Sequence, residues 1–347
     1  MPRPLSCFAW LAFLTLAAGL AARPAQAQVQ YPLPGTPEQP VALLAVGRAQ
    51  YLVTEGGVYR RVGRRLVPQY RSPAPILSAL ATDSALWLGT QRGGWRWHVG
   101  TGAARPLALP GAATEAPITA LVRAPGGEVW VGAGGYGAYR GRTTFEAVLR
   151  VPGLTAGLAT ADSAVWLGTN LGLHRYHRGQ WTRYNEEGVA NHEIPDNLVD
   201  KLLPDHAGNT WVVMSNAICA LPAQAGAAEL PSTTFLGRPG NELYAVAYLP
   251  GTGRLFATGM GLLLLPTPAP GEFASFEPTT DKVAPKNLLA VLPLPGPAPR
   301  LAQLDGRRRL WLASAQGLQV YSRRQWQQLA RAATPAAAAS AQGASQP

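Results

Sequence analysis

The sequence predicts an all-β protein, a seven-bladed β-propeller of four-stranded antiparallel blades. Its composition and an internal repeat both point there. Of 347 residues, 38 are Gly and 32 are Pro, charged residues make up 14% and hydrophobic residues 47%. Average usage is about 7% Gly, 5% Pro and 25% charged. The chain therefore has apolar material for a sizeable core but few charges for long surface helices, and its Gly and Pro mark many short strands joined by turns.

The repeat starts with an aromatic residue in a short apolar run, and a glycine about six positions later opens the next run. Well-formed copies are Tyr51 to Gly57, Trp87 to Gly93, Trp166-Leu167-Gly168-Thr169-Asn170-Leu171-Gly172 and Trp311 to Gly317. Degraded copies begin at Trp130, at Trp211, where Ala217 replaces the glycine, and at Phe256, which reaches Gly261 one position early. The seven starts are 36, 43, 36, 45, 45 and 55 residues apart, on average about 43, within the period of propeller blades.

The elements of a copy follow in order. An apolar run such as Ile76 to Ala81 or Leu198 to Leu203 forms the first strand, and a turn carrying Asp83, Asp162, Asp205 or Asp305 leads into the aromatic strand. Aspartate suits that turn because its carboxylate binds nearby backbone amides. Thr-x-x-Gly then makes a second tight turn, with glycine taking the left-handed conformation. A third strand (Gly94 to Val99, Gly172 to Tyr176) and a weaker fourth (Arg105 to Leu109, Trp181 to Tyr184) complete the blade. A blade cannot bury both faces alone, so the recurring aromatics are expected between neighbouring blades; Trp95, Trp97 and Trp181 fall outside the repeated position and are the better candidates for stacking on a sugar. Residues 278–300 do not fit the template and serve either as an extra strand of the sixth blade or as a long connection. The ring is expected to close by pairing Val41 to Val46 and the residues before it with C-terminal strands.

Residues 1–27 have the pattern of a cleavable secretory signal: Arg3, the apolar run Phe8 to Leu20, and Ala25-Gln26-Ala27 before Gln28. That run is too short to span a bilayer. The expected organisation is a signal at 1–27, a single propeller at 28–329 and a disordered Ala-rich tail at 330–347, in a periplasmic or secreted, monomeric protein with no membrane span once the signal is removed. Of Cys7 and Cys219 only the second survives cleavage, so no intramolecular disulfide can form, and Cys219 reads as a buried strand residue. The formal charge is +11, or +9 once Arg3 and Arg23 leave with the signal, and 27 of 30 basic residues are arginine. The clusters Arg60-Arg61, Arg64-Arg65, Arg307-Arg308-Arg309 and Arg323-Arg324 read as charges guarding strand edges, and export argues against a nucleic-acid partner.

The W-[LV]-G-T-x-x-G-[LI] core, with R-Y, W-x-x-Y, E-G-x-x-x-x-x-I-P-D-N-x-V and D-x-x-G-x-x-W after it, resembles the two-component regulator propeller repeat. The fullest copy runs from Trp166 to Trp211. The resemblance implies a periplasmic sensor propeller of the kind found in hybrid two-component systems, where ligands are often glycan fragments. This chain has repeats for one propeller and no kinase or Ig-like segment.

Acids and histidines are few, 19 and five. The densest group is Glu186, Glu187, His192, Glu193, Asp196, Asp200, Asp205 and His206, whose spacing matches no metal motif; neither a metal nor a cofactor is expected. Ligand contacts are expected from the turns at one mouth of the ring: Glu55, Gln91, Arg92, Asn170, Asn216 and Gln316, with Tyr184, Asn185, Glu186 and His192 from the longest polar connection. The expected function is non-catalytic binding or sensing of a glycan, peptide or protein. The alternatives are a protein-interaction scaffold and a streptogramin-lyase-like enzyme, for which no matching His and Glu set is present.

Overall fold

The structure, a computed structural model, describes residues 29–186, 192–205, 207–215, 217–221, 232–233, 242–259, 261–266, 290–292, 294, 296–332 and 334–335. Seven small sheets form a ring. The first four blades comprise Pro40–Val46, Ala49–Thr54, Gly57–Val62 and Arg65–Arg71; Ile76–Ala81, Ala85–Thr90, Gly94–His98 and Ala104–Pro106; Ile118–Arg123, Val129–Ala133, Gly137–Gly141 and Phe145–Leu149; and Leu154–Ala159, Val165–Thr169, Gly172–His177 and Gln180–Asn185. The fifth contains Val199–Pro204, Thr210–Met214, Ile218–Leu221 and Ser232–Thr233, and the sixth Leu243–Leu249, Gly253–Thr258, Gly261–Pro266 and Ala290–Leu292. Leu301–Leu304, Leu310–Ser314 and Gly317–Tyr321 form the seventh with Val29–Pro32 on its outer edge. His192–Glu193 adds a short parallel strand to the fourth blade.

Ring closure uses the residues before Val41, not Val41 to Val46 themselves. Val29 pairs with Val320 and Pro32 with Gly317, whereas Pro40–Val46 is the inner strand of the first blade. Of residues 278–300, Ala290–Leu292 is the outer strand of the sixth blade, paired to Leu262–Leu264; positions 278–289 lie outside the described residues, as do 1–28 and 336–347. At the C-terminal end the helix Arg323–Arg331 crosses the boundary expected at position 330, and Thr334–Pro335 then pairs with the sixth blade. The helix has a local cause: Ser322 and Gln325 form a reciprocal capping box, and Trp326 and Leu329, three apart, are buried between the sixth and seventh blades.

Seven apolar clusters fill the seven wedges between blades. Tyr51 packs on Leu86 and Leu88 of the second blade, Trp87 on Val129 and Val131 of the third, Trp130 on Val165 and Leu167 of the fourth, and Trp166 on Val212 and Met214 of the fifth. In the second to fourth blades an arginine lies directly across the ladder from the tryptophan and covers its ring, with Arg96, Arg140 and Arg175 at 5.7, 5.8 and 5.4 Å. The tryptophans outside the repeated position pack as well: Trp97 is buried edge-on against Tyr51, and Trp181 meets Trp130 and Tyr176.

The sixth blade departs from the expected register. Thr258 occupies the threonine position of Thr-x-x-Gly, so the counterpart of the tryptophans is Leu255, which packs between the sixth and seventh blades. Phe256, one residue on, points to the opposite face and meets Trp211 at 5.2 Å between the fifth and sixth.

Glycine in the Thr-x-x-Gly turn answers to two constraints. Gly172 has φ 108°, and a Cβ there would sit 2.2 Å from the Tyr184 carbonyl oxygen. The Thr169 hydroxyl donates to the Gly172 carbonyl at 2.7 Å, and Thr90 and Thr258 repeat the bond at 2.9 and 3.0 Å.

Cys219 is fully buried between the fourth and fifth blades, and burial pushes its thiol up to about 12. The folded protein is therefore expected to resist maleimide at pH 8 and to react once denatured; mass spectrometry before and after urea reads the difference, and rapid native labelling would contradict the packing.

Candidate functional site at the mouth of the channel

The inner strands of all seven blades line an axial channel of about 860 Å³. The turns between second and third strands and the connections between blades lie at one end, the mouth; the turns between first and second strands lie at the base. Near the mouth six inner strands carry a register shift, between Pro40 and Ala42, Ile76 and Ser78, Ile118 and Ala120, Leu154 and Ala156, Val199 and Lys201, and Leu243 and Ala245. Such a bulge disrupts the ladder locally and re-aims side chains. The extra residues are Val41, Leu77, Thr119, Thr155, Asp200 and Tyr244; Arg300 is the seventh-blade equivalent, and all seven line the channel.

From the second to the sixth blade a side-chain bond to the next blade recurs at this level. Ser78 Oγ donates to Ile118 O at 2.8 Å, Thr119 Oγ1 to Leu154 O at 2.7 Å and Thr155 Oγ1 to Val199 O, and Lys201 Nζ donates to Leu243 O at 3.0 Å. The acceptor is the same position of the following blade each time, so the channel wall is tied around half the ring by side chains that also face the lumen.

The wall is chemically one-sided. From the first to the fourth blade it presents aliphatic side chains and hydroxyls; from the fifth to the seventh it presents Asp200, Lys201, Glu242, Tyr244 and Arg300, with Glu55 of the first blade beyond. The Lys201 ammonium and the Arg300 guanidinium stand 4.9 and 4.7 Å from the centre of the Tyr244 ring. Burial pushes Lys201 below the ordinary lysine range, with Arg300 acting the same way against Glu242 and Asp200. Burial raises Asp200, assisted by Asp196 and Glu242 and opposed by the Ser215 hydroxyl and Lys201. Burial also raises Tyr244, with Glu242 as the next cause. Carboxylates, cations and a phenol side by side offer both acceptors and donors to a polar ligand entering the channel.

The sequence-derived candidates lie elsewhere, apart from Glu55, which is exposed at the channel mouth. Gln91, Arg92, Asn170 and Gln316 are exposed at turn tips on the mouth face but are not part of the channel wall. Several of these turns are tied back to their own blades: the amides of Glu55, Gln91 and Asn170 donate to the carbonyls of Gln39, Pro75 and Gly153, each just before the inner strand of the same blade. Tyr184 and Asn185 are buried inside the fourth blade, Tyr184 against Trp166, and Glu186 is exposed with its amide bound to Asn197 Oδ1. His192 is described as a strand residue only, and Asn216 lies outside the described residues. The acidic group around the fourth and fifth blades is dispersed: Asp200 faces the channel, while Asp205 is buried and caps its turn by accepting from the Ala207 and Asn209 amides. Among the described residues no three His, Cys, Asp or Glu gather in a group able to hold a metal.

Sequence reasoning missed Asp200, Lys201, Glu242, Tyr244 and Arg300 as a set, although a signal was present. The bulge residues stand 13 or 14 positions before the threonine position of every copy, a column that is aliphatic or hydroxylic in four blades and reads Asp200, Tyr244, Arg300 in the last three.

No family model matches the chain, and no curated protein matches it by sequence. Among solved structures, the extracellular domain of a putative one component system of B. thetaiotaomicron superposes with a TM-score of 0.63 at 14% identity, over 85% of this chain and 40% of that one. The extracellular domain of a putative hybrid two component system of the same organism gives 0.60 at 13% identity, over 82% and 39%. Virginiamycin B lyase from Staphylococcus aureus gives 0.60 at 14% identity, over 84% and 98%. The chain thus spans about two fifths of those extracellular domains and nearly the whole of the lyase. At such identities the likeness is one of fold, and it agrees with the sheets described above: the chain is a seven-bladed β-propeller.

Proposed function

We propose that the chain is an exported, non-catalytic binding or sensing propeller that takes a polar ligand, a glycan or peptide fragment, at the mouth of its channel. The observation that carries this reading is the arc of Asp200, Lys201, Glu242, Tyr244 and Arg300, facing a wall from the first to the fourth blade that is aliphatic and hydroxylic apart from Glu55. Charged groups at a lumen stay solvated until a ligand replaces that water, and a ligand with matched donors and acceptors gains charge-assisted hydrogen bonds in doing so. Two further observations support it: the pattern of residues 1–27 is that of a secretory signal, and the fold is shared with extracellular domains of putative one and two component systems.

The test is a thermal-shift screen of neutral and acidic oligosaccharides and short peptides, followed by calorimetry on hits. Arg300→Ala and Glu242→Gln are each expected to weaken the ligand by about 10-fold or more, the usual size for hydrogen bonds to charged groups. A ligand whose affinity neither change alters would remove the mouth as the site. The lyase reading has one observation in its favour, the match to nearly the full length of virginiamycin B lyase. Turnover of virginiamycin B by the purified chain would overturn the non-catalytic reading.

A further inference from the structure

We infer that the base of the seventh and first blades is a docking surface for an anionic lipid bilayer, which the protein meets with its channel mouth turned away. Exposed arginines gather there from three places: Arg48 and Arg64-Arg65 on the base turns of the first blade, Arg307 and Arg308 on that of the seventh, and Arg323 and Arg324 where the C-terminal helix begins. The helix lies against the seventh-blade turn, since Trp326 Nε1 donates to Arg308 O at 3.0 Å. The first blade adjoins through the wedge that packs Tyr31, Tyr59, Leu66 and Trp311 together.

Negative charge is missing on that side. Across residues 29–71 and 296–332 the sequence holds three acids, Glu38, Glu55 and Asp305. Glu38 pairs with Arg71, and both Glu38 and Glu55 lie towards the mouth; Asp305 lies at the base but pairs with Arg309 at 2.7 Å. Elsewhere arginines have carboxylate partners, Arg123 with Asp83 and Arg175 with Asp162. None of the seven exposed arginines pairs with a described carboxylate. Two of them, Arg323 and Arg324, occupy the first turn of a helix that has no acid there, where the macrodipole disfavours cations. Edge protection explains a charge beside a strand, but it does not explain arginines on turns and on a helix start that share one face.

Three features favour a bilayer over a nucleic acid or an acidic glycan. The arginines sit on projecting turn tips and a helix start, a broad surface suited to headgroup phosphates. Among the described residues none of the aromatics near them is exposed, Tyr31, Tyr59 and Trp326 all being buried, so bases and sugar rings find no stacking platform; the exposed apolar side chains there are Val62 and Val67, on either side of Arg64-Arg65. Finally, the chain enters the propeller at the base, where Val29 pairs with Val320, and the apolar run Phe8 to Leu20 precedes it.

The experiment is co-sedimentation of the chain, recovered from the compartment to which it is exported, with phosphatidylglycerol-containing vesicles and with pure phosphatidylcholine vesicles over a range of salt. Binding to the anionic vesicles alone, weakening as salt rises, is expected. Each arginine at an anionic surface contributes about fivefold, so the pairs Arg64→Gln with Arg65→Gln, and Arg307→Gln with Arg308→Gln, should each weaken partitioning roughly 25-fold. Arg92→Gln, on the mouth face, should leave it unchanged. Equal binding to both vesicle types, indifference to the paired changes, or tighter binding of heparin or a single-stranded oligonucleotide at the same salt would overturn the proposal.

Discussion

Trp311→Ala is expected to lower the unfolding free energy by about 3–5 kcal/mol, the usual cost of removing a buried tryptophan side chain, as read from urea denaturation at pH 7. Trp311 is 2% exposed in the wedge between the seventh and first blades, where it packs with Leu52, Tyr59 and Leu66. Its ring stacks on Tyr31 at 6.1 Å and 15°, with the guanidinium groups of Arg61 and Arg309 at 5.8 and 5.3 Å from its centre. Its indole Nε1 donates to Asp305 Oδ2 at 3.1 Å. The location matters because this wedge closes the ring through a strand of four residues, Val29–Pro32.

Trp311→Phe separates the two contributions. It keeps most of the packing and removes the indole donor from Asp305, so about 1.5–3 kcal/mol is expected, the size of a lost hydrogen bond to a charged group. Burial raises the Asp305 carboxyl, but bonds from the Arg309 amide, the Trp311 indole and the Arg309 side chain outweigh it and hold the group below its ordinary range. In Trp311→Ala the amides of Val29, Gln30 and Tyr31 should exchange faster relative to those of the third blade, because Tyr31 loses its stacking partner. Equal losses for the two variants, or a loss below about 1 kcal/mol for the alanine, would show that the wedge is not what holds the ring shut.

What could be read in advance divides along physical lines. Features that repeat were legible: the Thr-x-x-Gly turn, the aspartate turns and the wedge aromatics recur because every blade solves the same local problem. Phe256 was misread because a strand alternates faces at every residue, so a one-position slip in alignment moves a ring into the other wedge without changing the apparent pattern. The C-terminal helix was hidden by averaging: composition disfavours helices overall, while Ser322-x-x-Gln325 followed by Trp326 and Leu329 is a local signal. The closing strand depends on a pairing across some 290 residues, Val29 with Val320, for which four residues of sequence carry no marker. The polar arc was missed for a geometric reason. Loop tips look like the natural ligand contacts, but here their amides bond back to the start of their own blade's inner strand, and the lumen is reached by bulge residues within the inner strands.

Between pH 7 and pH 5 the protein is expected to lose about 2 kcal/mol of stability, and His174 to account for it. His174 lies on the third strand of the fourth blade, 9% exposed, edge-on to Trp181 at 6.4 Å and with Nε2 unpartnered. Burial, and next the charge of Arg183 across the ladder, push it down to about 4 from the ordinary 6.5. A lowered histidine makes the unfolded chain the better proton acceptor between those two values. Stability is therefore complete above pH 6.5, declines as the pH falls through that window, and has lost about 3 kcal/mol by pH 4. Asp162, Asp305 and Glu38 are all held below their ordinary values, so they too lose stability on acidification, but they do so below their unfolded values of about 4; Asp200, which burial raises, acts with the opposite sign, so the fall between 6.5 and 5 is the histidine's. His174→Phe keeps a ring against Trp181 and removes the proton site. Urea midpoints for this variant should be nearly level between pH 7 and pH 5 where those of the parent fall. A variant with the parent's slope would mean that the imidazole is hydrated and titrates normally inside the blade.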